Sequence, residues 1–388
     1  MSARPSSCAT AGRPRSRGNR VPDSFTGIAT RSRAPGEGGV PPEQRTVLIT
    51  GGAGFYGESL KAFLLERGIG CVSLDLEEDN SDHPLLTRVR GDIRDRELLA
   101  RLAETYRFDA VIHLAAVLAH AVKDEDLLWS VNVEGTRNIA GMAKEFRIPK
   151  VVFTSSNCLW GEDLGRPVSE EELPRPVEIY GRSKWEAEKI LLACADSFDA
   201  VIFRCPTIVG AGRLGLLAIL FEFIDEGRRV WVVDGGRNRY QFIAAADLHD
   251  ACLRALAYRG GGIFNVGSAA VPTLAETYRH VIEKAGTGAR VASLPGWAVL
   301  PLMKLAYRLG LSPLGPYQYR MIAASFMFDT TKAENLLGWK PVFTNGEMLW
   351  DAYRYYHEHA AEIRQRTGVS AHRKSAGQGI IRLLKWLS

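Results

Sequence analysis

The apolar run Thr46–Thr50 leads without a break into Gly51-Gly52-Ala53-Gly54-Phe55-Tyr56-Gly57, and an amphipathic stretch follows. Few folds accept four glycines between a buried strand and a helix. The first lets the chain turn tightly, the next lets backbone approach a pyrophosphate, and the last lets the helix pack closely on the strand. The N-terminal amides of the helix then face the phosphates. A glycine-rich turn alone says little, but this placement predicts a dinucleotide site built from Gly51, Gly54, Phe55, Tyr56 and Gly57.

The rest of the chain keeps that rhythm. Short apolar runs at 46–50, 70–75, 109–114, 150–155 and 199–205 alternate with helical patterns at 58–67, 95–106, 124–146 and 178–196. Near-continuous apolar strands separated by helices predict an α/β fold, a doubly wound parallel sheet of Rossmann type with both faces covered. Beyond Pro206 the rhythm loosens: helix near 214–227, strand near 229–233, helix at 247–258, strand at 262–266. Four prolines between 295 and 319 predict short broken helices there. The expected organisation is a Rossmann core at 46–205, joined by 229–268. A smaller C-terminal substrate lobe then takes 206–228 and 269–355, and 356–388 form a terminal helix and tail.

Charge is unevenly placed. Residues 1–45 hold eight arginines against three acids, a net of +5, which equals the net charge of the whole chain. The body therefore sums to zero, and no nucleic-acid partner is expected. The basic stretch is rich in Ser, Gly and Pro without apolar periodicity, and disorder is expected. It reads as an organelle transit peptide or as an inert extension. The six cysteines (8, 71, 158, 194, 205, 252) form no C-x-x-C pair, several lie in apolar runs, and no metal site is expected. Buried thiols of this kind suit a reducing, cytoplasmic compartment. No apolar run is long enough to span a membrane. The last ten residues, 379–388, pair apolar positions at helical spacing with Arg382 and Lys385, so contact with a membrane surface is one reading and packing on the body another.

Asp75 ends the second strand, 24 residues after Gly51. A carboxylate there accepts hydrogen bonds from the ribose hydroxyls and repels a 2′-phosphate, which predicts NAD. The alternative is a solvated acidic loop, because Glu77, Glu78 and Asp79 follow. Asp92 is placed to meet the adenine amino group, or else to cap the helix at 95–106. Tyr180 and Lys184 stand four apart at the start of a helix, on one face. An ammonium near a phenol is expected to lower its pKa, so that Tyr180 exchanges a proton with a substrate hydroxyl. The strand ending Thr154-Ser155-Ser156 supplies hydroxyls for the same oxygen. His113 reads as a packing residue.

Together these residues resemble the extended short-chain dehydrogenase/reductase family, in its NAD-dependent sugar epimerase/dehydratase branch. The resemblance spans about residues 46–355. Thr50–Gly57 is similar to the family's T-G-G-x-G-F-x-G fingerprint, and His113-Leu114-Ala115-Ala116 to its fourth-strand motif. Asn132 matches a structural asparagine, and Arg204-Cys205-Pro206, Asn265-Val266-Gly267 and Lys332–Pro341 match later landmarks. The resemblance implies that Ser156, Tyr180 and Lys184 are catalytic. It also implies that Asp92, Ile93, Leu114, Ala115, Ala116 and Asn132 join the cofactor site.

Departures bear on substrate. Dehydratases of the branch carry Asp-Glu where this chain has Asn157 and Cys158, so water elimination is not expected. Thr207 stands where epimerases often have Asn. Tyr240-Gln241-Phe242 replaces Arg-Asp-Phe, with Arg239 one residue earlier as a substitute charge. Pro206–Gly210 is similar to the steroid-dehydrogenase branch. Expected substrate contacts are Ser156, Asn157, Thr207, Arg213 and Arg239. The reading is an NAD-dependent epimerase or oxidoreductase acting on a secondary alcohol of a nucleotide-linked sugar. A net dehydrogenase or keto-reductase on a sugar or sterol-like alcohol is the alternative, and a non-catalytic NAD sensor is a third. The resemblance also implies a homodimer paired through helices 124–146 and 178–196.

Overall fold

The computed structural model describes residues 45–118, 124–213, 215, 217–309 and 315–365. Residues 1–44 of the basic stretch and the segment 379–388 lie outside the described residues. Seven parallel strands form the central sheet: β1 (Thr46–Thr50), β2 (Gly70–Asp75), β3 (Leu86–Arg90), β4 (Ala110–His113), β5 (Lys150–Ser156), β6 (Asp199–Cys205) and, last in the chain, Gly262–Asn265, which becomes β10 once the intervening strands are counted. Their spatial order is β10-β6-β5-β4-β1-β2-β3. The order reverses between β1 and β4, and a doubly wound sheet opens a crevice at that point, beyond the carboxyl ends of its strands.

Strand periodicity decides what each face carries. Val47 and Ile49 of β1 join one core layer with helices α1 (Phe55–Leu65), α7 (Ala245–Ala257) and α11 (Thr331–Leu337). Leu48, between them, points to the other layer. There it meets α2 (Arg96–Thr105), α4 (Gly135–Glu145) and α5 (Ile179–Leu192). Each fully buried Leu, Ile or Val of these layers contributes about 1.5–3 kcal/mol relative to exposure.

The predicted helix 124–146 is interrupted. Helix α3 (Glu125–Trp129) passes through one π-turn, Ser130–Glu134, into α4. Such turns displace one residue outward and collect at functional positions. Here the turn holds Asn132.

The strand expected at 229–233 does not join the central sheet. As β8 (Arg229–Val233) it pairs with β11 (Arg290–Leu294), and β7 (Thr207–Val209) pairs with β9 (Phe242–Ala244). Around these small sheets, α6 (Leu217–Asp225), α8 (Leu274–Ala285) and α12 (Asn345–Glu358) share a third core layer, and α13 (Ala360–Gln365) follows α12. Helices α8 and α12 each begin with a capping box, Thr273/Glu276 and Thr344/Glu347. The region 295–319 is less broken than its prolines predict. Helix α9 (Gly296–Arg308) is continuous with Pro301 inside it, and α10 (Pro316–Met321) comes after. Pro301 is exposed, so water can serve the carbonyl that its missing N–H leaves unpaired.

Candidate active site

Gly51 has φ +75° and lies against the end of β4, where a Cβ would stand 2.8 Å from the Ala115 nitrogen. A Cβ on Gly57 would stand 2.1 Å from the Gly51 carbonyl oxygen. No side chain fits at either position, so backbone fills the crevice wall. Helix α1 opens at Gly54 with no side-chain cap, which leaves its first turn as an anion site. The Ala53 N–H donates to Asp75 Oδ2 at 2.9 Å, which holds the carboxylate at the turn rather than in a solvated loop. This cradle fits a dinucleotide: a glycine turn for the pyrophosphate and an acid at the ribose position.

The flanking residues divide. Phe55 and Tyr56 start α1, yet the Tyr56 side chain turns into the core, with its hydroxyl 3.4 Å from Cys252 Sγ and its ring stacked on His249. Only its backbone can serve a cofactor. Ile93 is buried against Gly135. Asp92 is not the cap of α2, because Asp95 takes that place by accepting from Leu98 N–H. Asp92 instead pairs with Arg94, whose Nη2 stands 2.6 Å from Oδ2 and whose hydrogen bonds hold the carboxyl below its usual range. Leu114 and Ala115 donate backbone N–H groups to Thr50, at 3.1 Å and 3.3 Å. Ala116 follows them, half-buried. Asn132 ties the loop after β4 to α5, accepting from Val117 N–H at 2.8 Å and donating to Ser183 Oγ at 3.0 Å. His113 is fully buried between Thr50 and Thr136, and burial drives its pKa down to about 3. It is a neutral packing residue.

Ser156 closes β5, and Tyr180 is the second residue of α5. The Ser156 side chain faces the Tyr180 phenol closely enough to act on its pKa. The expected lowering of the Tyr180 pKa does not occur. Burial pushes the phenol up, Cys158 adds to this, and Arg213 is the cation that opposes it. Lys184 is turned away: its Nζ donates to the Thr154 carbonyl oxygen at 2.9 Å and lies 6.0 Å from the centre of the Tyr180 ring. Burial also lowers Lys184, to about 8. Arg213 stands near Tyr180 with its guanidinium 5.7 Å from the Phe55 ring centre, at the junction of the glycine turn and the Tyr180 site. Ser155 Oγ is buried without a hydrogen-bond partner.

On the far side of Ser156, the Asn157 amide donates to the Tyr240 hydroxyl at 2.8 Å, and Tyr240 is 3.2 Å from the Tyr317 hydroxyl. Thr207 lies near the Tyr240 phenol, and Cys158 lies near the Tyr317 phenol. Tyr317 is fixed by Glu178 Oε1, which accepts from its backbone N–H at 2.7 Å. Sequence spacing did not place Glu178 or Tyr317 here. The one available signal was Tyr240, standing where the family has Arg. Arg239 does not share this cluster. It is exposed, donates to the Val271 carbonyl at 2.7 Å and faces Glu276 of α8.

Among the described residues no cluster of His, Cys, Asp and Glu could hold a metal, and no helix is long and apolar enough to cross a membrane.

Comparison with known proteins agrees with this geometry. The chain is 36% identical over 344 residues to the uncharacterized protein y4nG of Sinorhizobium fredii, covering 88% of this chain and 86% of that one. It is 28% identical to a UDP-glucose 4-epimerase of Halalkalibacterium halodurans, covering 81% and 96%. It is 27% identical to a 3 beta-hydroxysteroid dehydrogenase/Delta 5-->4-isomerase of Mycobacterium tuberculosis, covering 84% and 94%. The model of the NAD dependent epimerase/dehydratase family matches residues 47–267, more than half of the chain. The glycine turn, the acid at its edge and the matched span together make this chain an NAD-dependent enzyme of the epimerase/dehydratase family.

Proposed function

We propose that the enzyme oxidises a secondary alcohol of a nucleotide-linked sugar to a transient ketone and returns the hydride to the opposite face, as an epimerase does. The observation that carries this reading is the placement of Ser156 at the carboxyl end of β5 facing Tyr180 in the first turn of α5. NAD supplies the hydride acceptor. Gly51, Gly54, Gly57 and Asp75 would hold it, with Asp92 toward the adenine and Lys184 toward the nicotinamide ribose.

The residues of the chain perform the rest. Ser156 fixes the substrate oxygen next to Tyr180 Oη by hydrogen-bonding to it. Tyr180 is a neutral phenol in its buried setting, the form that protonates a ketone oxygen. For oxidation it must first lose that proton, and Arg213 is the cation near it that stabilises the phenolate. Arg213, Thr207 and Asn157 stand on the substrate side, and the Arg213 fork suits a diphosphate. Asn157 and Cys158, a neutral amide and a thiol that burial pushes up, are poor replacements for the acid–base pair that elimination of water uses.

The second reading is a net dehydrogenase or keto-reductase on a sterol-like alcohol. It is favoured by the 27% identical hydroxysteroid dehydrogenase and by the Tyr240–Tyr317 wall. The fate of the cofactor separates the two. An epimerase turns over a UDP-hexose without accumulating NADH, and a dehydrogenase accumulates NADH with its substrate. If neither UDP-hexoses nor 3-hydroxysteroids change, both readings fail.

A homodimer through α4 and α5 completes the proposal. Both helices keep small or apolar residues outward, with Gly141 facing open space and Leu192 exposed. Its free cysteines, including buried Cys71, Cys205 and Cys252, suit work in the reducing cytoplasm.

A further inference from the structure

Helix α9 is apolar and almost unburied. Of its thirteen residues only Gly296 and Ala306 are buried. Trp297 is 83% exposed, Leu302 57% and Leu305 52%, and Leu309 just beyond is 62% exposed. Ala298, Leu302, Leu305 and Leu309 follow at steps of four, three and four, which makes one exposed apolar row along the helix. Trp297, Pro301, Lys304 and Arg308 form the adjoining row at the same spacing. The helix thus carries two bases and no acid. Arg320, exposed on α10, adds a third base where the two helices meet through Tyr307 and Tyr319, whose ring centres are 6.3 Å apart.

We infer that α9 is a docking surface for an anionic lipid bilayer. Its leucine row enters the acyl boundary, the Trp297 indole lies at headgroup level, and Lys304, Arg308 and Arg320 meet lipid phosphates. The charges disfavour the other occupants. A second copy laid on this face would bring bases against bases with no acid among them. The apolar end of this chain, residues 379–388, carries Arg382 and Lys385 and also lacks an acid. An anionic surface is the complement that both rows share. The element is tied to the catalytic region without belonging to it: α10 packs on α9 and carries Tyr317, which bonds Tyr240.

The test is co-sedimentation of the full chain with phosphatidylcholine vesicles, with and without phosphatidylglycerol. The wild type should pellet with the anionic vesicles and much less with the neutral ones. Leu302→Glu/Leu305→Glu should reduce binding about tenfold or more, and Lys304→Glu/Arg308→Glu should abolish the preference for anionic lipid. A chain ending at Gln378 should still bind. NAD titration checks that each variant remains folded, and the charge variant serves should the leucine variant fail to fold. Equal sedimentation of wild type and both variants, or no vesicle binding by the wild type, overturns the proposal. So does self-association of the wild type, seen by light scattering, that the variants lose while no form binds vesicles.

Discussion

Lys184 and Tyr180 share one face of α5, yet the lysine ammonium is engaged by the Thr154 carbonyl at 2.9 Å and stands 6.0 Å from the phenol ring centre. Helical spacing brings the pair together, and burial decides their charge. Lys184 has a pKa of about 8 in the folded, cofactor-free protein, below the ordinary 10.5, with burial as the main cause. Below pH 8 the lysine is charged in both states, and the folded state bears the full cost of burying it. Between about 8 and 10.5 the folded protein binds fewer protons than the unfolded chain, so this cost is relieved as pH rises. Lys184→Met should therefore stabilise the cofactor-free protein at pH 7 by ~1–2 kcal/mol, less than the full shift because the bond to Thr154 is also lost. The gain should shrink toward pH 10. Urea denaturation at both pH values measures it, and a gain that grows with pH would contradict the assignment.

Tyr180→Phe keeps the ring and removes the hydroxyl that faces Ser156. Turnover of any accepted substrate should fall by about 10²-fold or more. Binding of NAD should change little, because the cradle at Gly51–Gly57 is untouched. Single-turnover rates and a cofactor titration, run on one preparation, separate the two effects.

Asp75 has two roles with different signatures. Its carboxylate repels a 2′-phosphate, and its Oδ2 holds the Ala53 N–H of the glycine turn. Asp75→Asn retains an acceptor for Ala53 but loses the charge. The ratio of NADP to NAD affinity should rise about tenfold or more, while the melting temperature barely moves. Calorimetric titration of both cofactors reads the ratio, and an unchanged preference would place the discriminating group elsewhere.

Local spacing carried the parts of the site that were legible in the sequence. The glycine turn, Asp75, Tyr180 and Lys184 each lie within a strand, a helix or the turn joining them, where local spacing sets position, whereas Ser156 was singled out from its neighbours by the family resemblance. The hydrogen-bonded chain on the substrate side was not legible, because Asn157, Tyr240 and Tyr317 are 83 and 77 residues apart along the chain. Segment 326–328 bridges to both Val168 and Tyr240 beside this cluster. The direction of the Tyr180 shift was missed for a similar reason, since burial is a property of the packed core and not of a four-residue spacing. Asn132, in the π-turn, is hydrogen-bonded to the Val117 backbone, a contact that no helical periodicity reveals.

The acidic run after β2 hides one further device. Asp79 reads as a solvated loop acid, but it is 5% exposed and paired with Lys61 of α1, itself 1% exposed. Ser73 Oγ donates to the same carboxylate at 2.6 Å, and Lys61 Nζ donates to the Gly52 carbonyl at 3.3 Å. The pair therefore braces the glycine turn from behind. Burial alone would raise the Asp79 pKa, but the hydrogen bonds from Lys61 and Ser73 outweigh it and hold the carboxyl below its ordinary value. Its contribution is present above the unfolded carboxylate pKa and is lost as pH falls through the lower folded one. Removing one partner strands a buried charge, so Lys61→Met should destabilise the protein by about 3–5 kcal/mol at pH 7. Lys61→Met/Asp79→Asn, which leaves neither charge, should recover most of that loss. The deficit of the single variant should also narrow at acid pH, where protonation of Asp79 removes the unpaired charge. Urea denaturation of the three proteins at pH 7 and pH 4 tests the cycle. Additive losses at pH 7 would show that Lys61 and Asp79 act separately and that the turn is braced by packing alone.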